Sequence, residues 1–306
     1  MYRSAKKSFN YLRTQVVVHV GQYGRLFLLA CLSTLVLVGS GIYFWNVYPR
    51  STTVSFLDVG QGDATLIQTD TGRIILIDGG PSRVVLEGLS RHLSFFTRDI
   101  DVVIATHADA DHITGLIPVL EKYHVHHIVL SPISGDTNTF ASFYEAVDRE
   151  VMEEGAVIHI AKRGDEMSIS SSTKITVLSP RESIPQNTET NAASIVTLLE
   201  TGAYSFLGTG DLPTEYEREL IPLLPRHVTV YKAGHHGSKT SSGVQLLSYI
   251  KPEYAIISAG KNNTYGHPHK ETIARLHEYS KEIFSTIEHG DISFSIGNSF
   301  SVELEK

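Results

Sequence analysis

The sequence predicts an α/β domain in which two β-sheets pack face to face between outer helices, preceded by one membrane-spanning helix. Three observations indicate this architecture. An uncharged apolar run lies near the N-terminus, strands separated by turn residues follow it, and strands then alternate with helical segments. Of the 306 residues, 42% are hydrophobic and 19% charged, which is globular composition and excludes disordered, collagenous and disulfide-rich classes.

The first predicted element is an anchor with a basic head. Residues 1–25 carry Lys and Arg but no acid, and residues 26–49 carry no charge. The apolar run 26–48 exceeds the roughly 20 residues that cross a bilayer, and Tyr and Trp cluster at its far end. The positive-inside rule therefore predicts a cytoplasmic segment 1–25, a transmembrane anchor 26–48 and an extracytoplasmic domain 51–306 at the cell membrane.

A cleaved signal peptide and a buried core helix are the alternatives for this run. A cleaved signal has a shorter apolar region, and residues 39–41 offer only a weak cleavage site. Cys31 is the only cysteine, and the apolar stretch before it is too short for a lipoprotein signal. With no other cysteine, the domain 51–306 contains no disulfide.

The domain is expected to begin with three strands joined by tight turns. Residues 53–57, 64–69 and 73–78 are mostly apolar or β-branched, and glycine-containing turns at 60–62 and 70–72 separate them. Further strands are predicted at 100–105, 126–130, 157–160, 174–178, 193–200, 203–208, 227–232, 253–258, 291–296 and 299–304. Helices are predicted at 82–93, 114–123, 139–154, 215–224, 243–250 and 270–279.

A cluster of histidines and aspartates follows the strand at 100–105. His107, Asp109, Asp111 and His112 lie within six residues, with no Lys or Arg among them. Imidazole and carboxylate groups are suitable ligands for Zn²⁺ or Mn²⁺, and a tight loop at a strand end directs alternate side chains to one point. The pattern therefore predicts a metal site rather than a solvated turn.

Three later strand ends also deliver groups that bind metals. Asp211 follows the strand at 203–208, and the pair His235-His236 follows the strand at 227–232. His267 follows the strand at 253–258. A single residue of this kind commonly caps a helix or hydrogen-bonds a loop, but three such strand ends in one chain favour a shared site.

Together these motifs resemble the metallo-β-lactamase superfamily, and within it the ComEC-like hydrolase domains. The resemblance covers residues 53 to about 304, in the family's order. It implies a four-layer αββα sandwich with a metal centre at one edge. The residues that carry it are Phe56-Leu-Asp-Val-Gly-Gln-Gly-Asp-Ala64, Ile77-Asp-Gly-Gly80, Thr106-His-Ala-Asp-Ala-Asp-His112, Leu207-Gly-Thr-Gly-Asp211, Tyr231-Lys-Ala-Gly-His-His-Gly-Ser-Lys-Thr-Ser-Ser242 and Tyr265-Gly-His-Pro-His269.

The resemblance implies one or two divalent metal ions. His107 and Asp109 match one site, Asp111 and His112 match the other, and Asp211 matches the bridging carboxylate. Asn191 stands where the superfamily has a third His for the first site, so that site is poor in nitrogen ligands. Oxygen-rich ligation favours Mn²⁺ over Zn²⁺ without excluding either.

The remaining matches imply roles around the metals. We expect His236 to bind metal and His235 to face the substrate, with the opposite assignment left open. His267 is a candidate general acid or phosphate contact, or a hydrogen-bonded loop residue. Asp111, His235 and His267 form the expected catalytic set. Lys232, Ser238 and Lys239 are candidate substrate contacts, and Asp63, Asp78 and Asn191 are expected to orient ligands.

The function implied is an extracytoplasmic phosphodiesterase, with DNA as the first candidate substrate and metal-activated water as the nucleophile. Residues 51–306 hold 20 Lys and Arg against 33 Asp and Glu, a net charge of −13 that opposes binding to nucleic acid. A phosphodiesterase of cell-envelope polymers, such as one acting on teichoic-acid phosphocholine, is therefore the alternative. A non-catalytic, metal-stabilised binding module is the third, and the sequence predicts no particular protein partner.

Overall fold

The computed structural model describes residues 23–43, 51–297 and 299–306. The chain divides into two units, Met1–Tyr48 and Pro49–Lys306. In the first unit, helix α1 (Tyr23–Tyr43) is long and apolar enough to cross a membrane, a test that a signal sequence also passes. The expected cytoplasmic segment up to residue 22 and the aromatic end of the anchor at 44–48 lie outside the described residues.

The second unit contains two β-sheets. Its strands are β1 (Thr52–Phe56), β2 (Thr65–Gln68), β3 (Ile74–Ile77), β4 (Asp99–Ala105), β5 (His124–Leu130), β6 (Val157–Ile160), β7 (Glu166–Ser168), β8 (Thr173–Ser179), β9 (Val196–Thr201), β10 (Tyr204–Gly208), β11 (Val230–Lys232), β12 (Tyr254–Ile257), β13 (Glu282–Ser285), β14 (Ile292–Ile296) and β15 (Phe300–Leu304). The first sheet has the order β15-β14-β1-β2-β3-β4-β5-β6 and the second β13-β12-β11-β10-β9-β8-β7. Hairpin strands pair antiparallel, whereas β3-β4-β5-β6 and β10-β11-β12-β13 are parallel.

Helices connect the parallel strands, as crossovers between parallel strands require. They are α2 (Val85–His92), α3 (Ala110–Ile113), α4 (Leu116–Leu120), α5 (Asn138–Arg149), α6 (Thr214–Glu217), α7 (Val244–Ile250) and α8 (Lys270–Tyr279). A further helix, α9 (Thr286–His289), instead leads from β13 in the second sheet to β14 in the first. A wider helical turn at Glu150–Glu154 continues α5.

Three apolar layers show how the elements pack. Val54, Ile104 and Phe206 belong to the cluster between the two sheets. A second cluster joins the outer face of the first sheet to α2, α4 and α5, and a third joins the second sheet to α7 and α8. Strands such as β4 are buried on both faces, which explains their continuous apolar sequence. The predicted αββα sandwich is confirmed.

Several predicted boundaries differ from the structure. The helix predicted at 114–123 begins earlier and is divided into α3 and α4 around Gly115. A Cβ atom there would lie 1.8 Å from the carbonyl oxygen of Gly79, so the chain crosses the loop after β3 too closely for a side chain. The helix predicted at 215–224 is α6 followed by a 3₁₀ turn at Ile221–Leu223. Strands β7 and β13 and helix α9 span only three or four residues, too few to show a sequence period.

Candidate metal centre and active site

The predicted site residues lie where neighbouring parallel strands end. Asp78 directly follows β3, and the loop that begins at Thr106 directly follows β4. In the second sheet, Asp211 comes shortly after β10 and His235-His236 shortly after β11. Because the carboxyl ends of parallel strands meet at one edge of a sheet, the topology brings these loops together.

Asp211 lies at the centre of four imidazoles. Its Oδ1 is 3.4 Å from Nε2 of His112. Its Oδ2 is 3.8 Å from Nε2 of His107, 3.5 Å from Nε2 of His235 and 3.6 Å from Nε2 of His236. The carboxylate is buried, and its backbone N–H donates to Oγ of Ser194. Asp211 thus has the central position that a bridging ligand requires.

The outer nitrogens of three of these imidazoles are held by protein groups. Nδ1 of His112 donates to Oδ2 of Asp78 at 2.8 Å. Nδ1 of His107 is 3.0 Å from Oγ1 of Thr106, whose hydroxyl donates to the same Asp78 oxygen. Each ring therefore turns Nε2 inward, the arrangement in which an outer partner fixes the tautomer of a metal-binding histidine.

His236 follows the same pattern on the other sheet. Its Nδ1 donates to the carbonyl oxygen of Ser258 at 3.1 Å and lies 3.1 Å from Oδ1 of Asp63. Within the described parts of the chain, Nε2 of His107, His112 and His236 and Oδ1 of Asp211 are buried without a hydrogen-bond partner. Buried polar atoms are rarely unpaired, so this donor set fits a metal ion.

The acidic residues of the 107–112 loop complete two neighbouring ligand sets. Oδ2 of Asp111 lies 3.2 Å from Nε2 of His236, and Oδ2 of Asp109 lies 3.8 Å from Nε2 of His107. Candidate ligand atoms in the group His107, His112 and Asp211 lie within 4.8 Å of one another, as do those of Asp111, His112 and His236. Both groups contain His112, so two ions would have to divide these residues, and His107, Asp109 and Asp211 would remain for an ion that does not bind His112.

The electrostatics of the cluster favours a cation. Burial alone would raise the pKa of Asp211, but His112 and His236 hold it well below its ordinary value, so the central carboxylate is ionised. Burial opposes charge on His236, yet Asp211 and Asp63 raise the pKa of its ring to about 10. Burial and the neighbouring His112 lower the pKa of His107.

Lys232 is placed differently from the substrate contact that we expected. Its side chain is buried at the end of β11, and its ammonium group forms an ion pair with Asp63. Burial would raise the pKa of Asp63, but Lys232 and His236 hold it well below its ordinary value. Lys232 thus holds a carboxylate that contacts a candidate ligand, and its charged end faces the protein interior.

The other predicted substrate contacts are divided between interior and surface. Ser238 is buried, and its hydroxyl is hydrogen-bonded to Thr240 Oγ1 at 2.9 Å. Lys239 is exposed beside it, with its backbone N–H donating to Nδ1 of His269. Asn191 follows Thr190, whose hydroxyl donates to Asp109 at 2.6 Å. The amide oxygen of Asn191 is buried and, among described groups, has no partner.

His235 and His267 lie on the more open side of the cluster. The His235 side chain is 28% exposed, whereas that of His236 is 1% exposed. The rings of His235 and His267 are 5.3 Å apart, and Tyr265 stacks on His267 at 5.7 Å. Burial, followed by the nearby His235, lowers the pKa of His267 to about 4. A neutral ring suits a phosphate contact better than it suits a general acid.

A cleft of about 610 Å³ adjoins the acidic loop. Its described lining includes three carboxylates and no Lys or Arg, and an exposed tyrosine lies on it. The lining residues are Gln61, Pro81, Ala108, Asp109, Ala110, Asp111, Thr114, Gly135, Asp136, Thr137, Thr190 and Tyr265. The sequence patterns indicate only a turn at Gln61 and predict no role for Tyr265 or Thr190, although Gln61 and Tyr265 lie inside the matched motifs.

Comparison with known proteins supports the expected family. A model of the metallo-β-lactamase superfamily matches residues 57–261. ComE operon protein 3 of Bacillus subtilis is 34% identical over 284 residues, covering 84% of this chain and 35% of that protein. Recombination protein 2 of Haemophilus influenzae is 30% identical over 286 residues, covering 92% of this chain and 33% of that protein. The chain therefore spans about a third of the length of these relatives.

The fold also occurs in solved structures. CmlA, a diiron β-hydroxylase from Streptomyces venezuelae, superposes with a TM-score of 0.50 and 13% sequence identity. The match covers 81% of this chain and 55% of that protein. At this level of identity, the likeness concerns the fold alone.

Proposed function

Because this chain belongs to the metallo-β-lactamase superfamily, we propose that it is a membrane-anchored, extracytoplasmic, metal-dependent phosphodiesterase that acts on DNA. One observation carries the hydrolytic part of the proposal. The Nε2 atoms of His107, His112 and His236 converge on Asp211 and lack partners in the described structure, while their Nδ1 atoms are held from outside. Such a donor set is built for a Lewis acid.

The ligands divide into two sets that share Asp211. We assign His107 and Asp109 to one ion and Asp111, His112 and His236 to the other, with Asp211 between them. The first set contains one nitrogen ligand and therefore favours Mn²⁺. The second set contains two nitrogen ligands and suits Zn²⁺ and Mn²⁺ equally well. A divalent ion here would activate water near neutral pH and neutralise charge on a phosphodiester.

The chain's own residues supply orientation and protons on the open side. His235 is partly exposed and lies 3.5 Å from Asp211, so it is placed to protonate a leaving oxygen. His267, with its depressed pKa, donates a hydrogen bond to phosphate as a neutral ring. Lys239 is exposed on the neighbouring loop and contributes the positive charge that the buried Lys232 does not.

DNA is the first candidate substrate because the relative of the chain from Haemophilus influenzae is named as a recombination protein. The acidic surface opposes this assignment, since nucleic-acid affinity depends on counterions released by basic groups. Single-stranded nucleic acids are bound by aromatic side chains that stack on the bases together with basic groups that contact the backbone. Tyr265 is 65% exposed at the cleft and offers such a ring.

The same cleft favours a second candidate substrate. Asp136 and Tyr265 line it beside the assigned ligands Asp109 and Asp111, and no basic side chain is found in its described lining. Carboxylates and an aromatic face are the groups that recognise a quaternary ammonium ion. Phosphocholine esters of cell-envelope polymers, which carry that ion beside a phosphodiester, therefore fit the cleft.

The anchor is part of the proposal. Helix α1 has the length and composition of a membrane span, and the segment before it is basic whereas the domain after it is acidic. The positive-inside rule then places the N-terminus in the cytoplasm and the catalytic domain outside.

The test is hydrolysis by the full chain, purified in detergent and loaded with Mn²⁺ or Zn²⁺. Substrates are single-stranded DNA, double-stranded DNA, bis-p-nitrophenyl phosphate and p-nitrophenyl phosphorylcholine, with chelator-treated protein as the control. We expect metal-dependent cleavage of the diesters, and the ratio of DNA to phosphorylcholine turnover decides between the two substrates. A metal-loaded protein that cleaves none of them would instead be the non-catalytic binding module.

A further inference from the structure

Gln61 lies in the loop between β1 and β2, which packs directly on the metal-binding loop. The backbone N–H of Asp63 donates to the carbonyl oxygen of Asp111 at 3.3 Å. At Gly62, a Cβ atom would lie 2.3 Å from that same oxygen, so only glycine permits this approach. Gln61 is thereby brought to the cleft that Asp109 and Asp111 also line.

The orientation of the Gln61 amide is fixed by one hydrogen bond. The backbone N–H of Gly260 donates to its Oε1 at 3.1 Å. A backbone N–H can only donate, so the atom that it meets must be the amide oxygen and the remaining atom must be the NH₂ group. That Nε2 is buried and has no partner among the residues that the structure describes. A buried donor without a partner calls for an acceptor that binds there.

The other polar groups of the cleft are mostly engaged. The hydroxyl of Thr190 donates to Asp109 at 2.6 Å, and the hydroxyl of Thr114 donates to the carbonyl oxygen of Ala110 at 2.6 Å. The carboxylates accept hydrogen bonds but donate none when ionised. The Nε2 of Gln61 is therefore the unengaged, oriented amide donor in the described lining of this cleft.

We propose that Gln61 is a catalytic residue that donates a hydrogen bond from Nε2 to a non-bridging phosphoryl oxygen of the substrate. The inference rests on the proposed phosphodiesterase function and adds a residue to it. Negative charge grows on this oxygen as the attacking water bonds to phosphorus, and a fixed donor stabilises that charge more in the transition state than in the ground state. The acceptor of the amide is already held by Gly260, which fixes the direction in which Nε2 donates.

Two substitutions separate the donor from the rest of the side chain. Gln61→Glu keeps the oxygen that accepts from Gly260 and replaces the donor, whereas Gln61→Leu removes both. Gln245→Leu, at an exposed position of α7, is the matched control. The measurements on the metal-loaded full chain in detergent are kcat and KM with bis-p-nitrophenyl phosphate, metal content per protein and the dissociation constant of inorganic phosphate.

We expect both Gln61 variants to lose about 100-fold or more in kcat with unchanged metal content, as removal of one oriented donor typically does. Phosphate should bind about tenfold more weakly to Gln61→Leu, and Gln245→Leu should match the wild type. A dinucleotide phosphorothioate gives a further readout, because sulfur accepts hydrogen bonds poorly. The wild type should cleave the two diastereomers of this phosphorothioate at different rates, and the difference in rate should be smaller for Gln61→Leu.

Three results would overturn the inference. They are a kcat within threefold of wild type in both variants, loss of metal from either one, and unchanged diastereomer discrimination. If the wild type cleaves no diester, the proposed function fails separately. The phosphate dissociation constant then decides the role of Gln61, and an equal value in wild type and Gln61→Leu would refute it.

Discussion

Nδ1 of His112 donates to Oδ2 of Asp78 at 2.8 Å, and this carboxylate also accepts from the backbone and the hydroxyl of Thr106. Asp78 thereby orients both His112 and, through Thr106, His107. Its φ of 59° is in the left-handed region, which Asp and Asn tolerate better than other side chains. One buried carboxylate thus orients candidate ligands of both metal sets.

Asp78→Asn is predicted to weaken metal binding without unfolding the chain. Asn accepts the same backbone conformation but has one acceptor oxygen for three donors, so one of the oriented groups loses its partner. Metal affinity should fall about 10–100-fold, as it does when an outer partner of a ligand is removed. Metal titration of the chelator-treated protein measures this, with the exposed Asp70→Asn as control. Equal affinities in the two variants would contradict the role given to Asp78.

Asp211→Asn is predicted to abolish hydrolysis and lower metal content while the protein stays folded. The amide has one acceptor oxygen and no charge, so it cannot bind two ions or offset the surrounding imidazoles. Elemental analysis and diester hydrolysis measure both effects, and Asp148→Asn on the exposed face of α5 is the control. Unchanged turnover would remove Asp211 from the centre.

The local part of the site could be predicted from the sequence, because its ligands are adjacent in the chain. His107 to His112 form a dense cluster after an apolar strand, and the structure brings them to Asp211 and His236, which follow other strands. The order of these residues along the chain, together with the family's pattern, is sufficient to predict that they share one site. The αββα architecture is implied by the family's pattern, whereas the strand and helix periods, which are local properties, predict the individual elements.

Burial and partner choice could not be predicted, because they depend on residues far apart in sequence. Lys232 is a cation next to a ligand motif, which suggests substrate binding, but all of β11 is buried and Lys232 is paired with Asp63 of the loop between β1 and β2. The sequence around Gln61 is typical of a turn, and its hydrogen bond with the backbone N–H of Gly260 is visible only in the folded structure. Both roles depend on contacts between the two sheets, which periodicity does not report.

The membrane topology predicts which part of the chain an external protease reaches. In intact cells, added protease should degrade the domain 51–306 and spare the first 25 residues, because the basic flank stays in the cytoplasm. Tags at the two ends, followed by immunoblotting, measure the two regions separately, and lysed cells give the control in which both are cleaved. A domain protected until lysis would contradict this orientation, and a domain recovered in the medium would indicate a cleaved signal.

Glu217 is predicted to make stability depend on pH. Burial raises its pKa from 4.5 to about 7, although its carboxylate accepts from the backbone N–H groups of Ser242 and Gly243. Tyr231 and Arg275 are the titratable or charged groups that interact with it. Because the folded state binds this proton more tightly than the unfolded state, stability is greatest below pH 4.5 and is lost as the pH rises through about 7.

Glu217→Gln should remove this contribution. The difference in free energy of unfolding between the variant and the wild type should therefore shift in favour of the variant by about 3 kcal/mol between pH 5 and pH 8. Denaturant unfolding of the full chain in detergent at several pH values measures the difference. Glu215→Gln on the same helix is the control, and its profile should parallel the wild type. Parallel profiles for Glu217→Gln would show that its pKa is ordinary.

Replacement by Ala is predicted to affect metal content and kcat differently at His235 and at His236. Nε2 of His236 is buried, has no partner among the described groups, and is backed by Ser258, so His236→Ala should purify metal-poor and regain activity with excess Mn²⁺. His235 is partly exposed, so His235→Ala should keep its metal, lose about 10²–10⁴-fold in kcat and gain nothing from added Mn²⁺. Metal content per protein decides between them, with the exposed His277→Ala as control. The mirror result would exchange the two roles, and equal metal loss would make both residues ligands and leave His267 as the pocket contact.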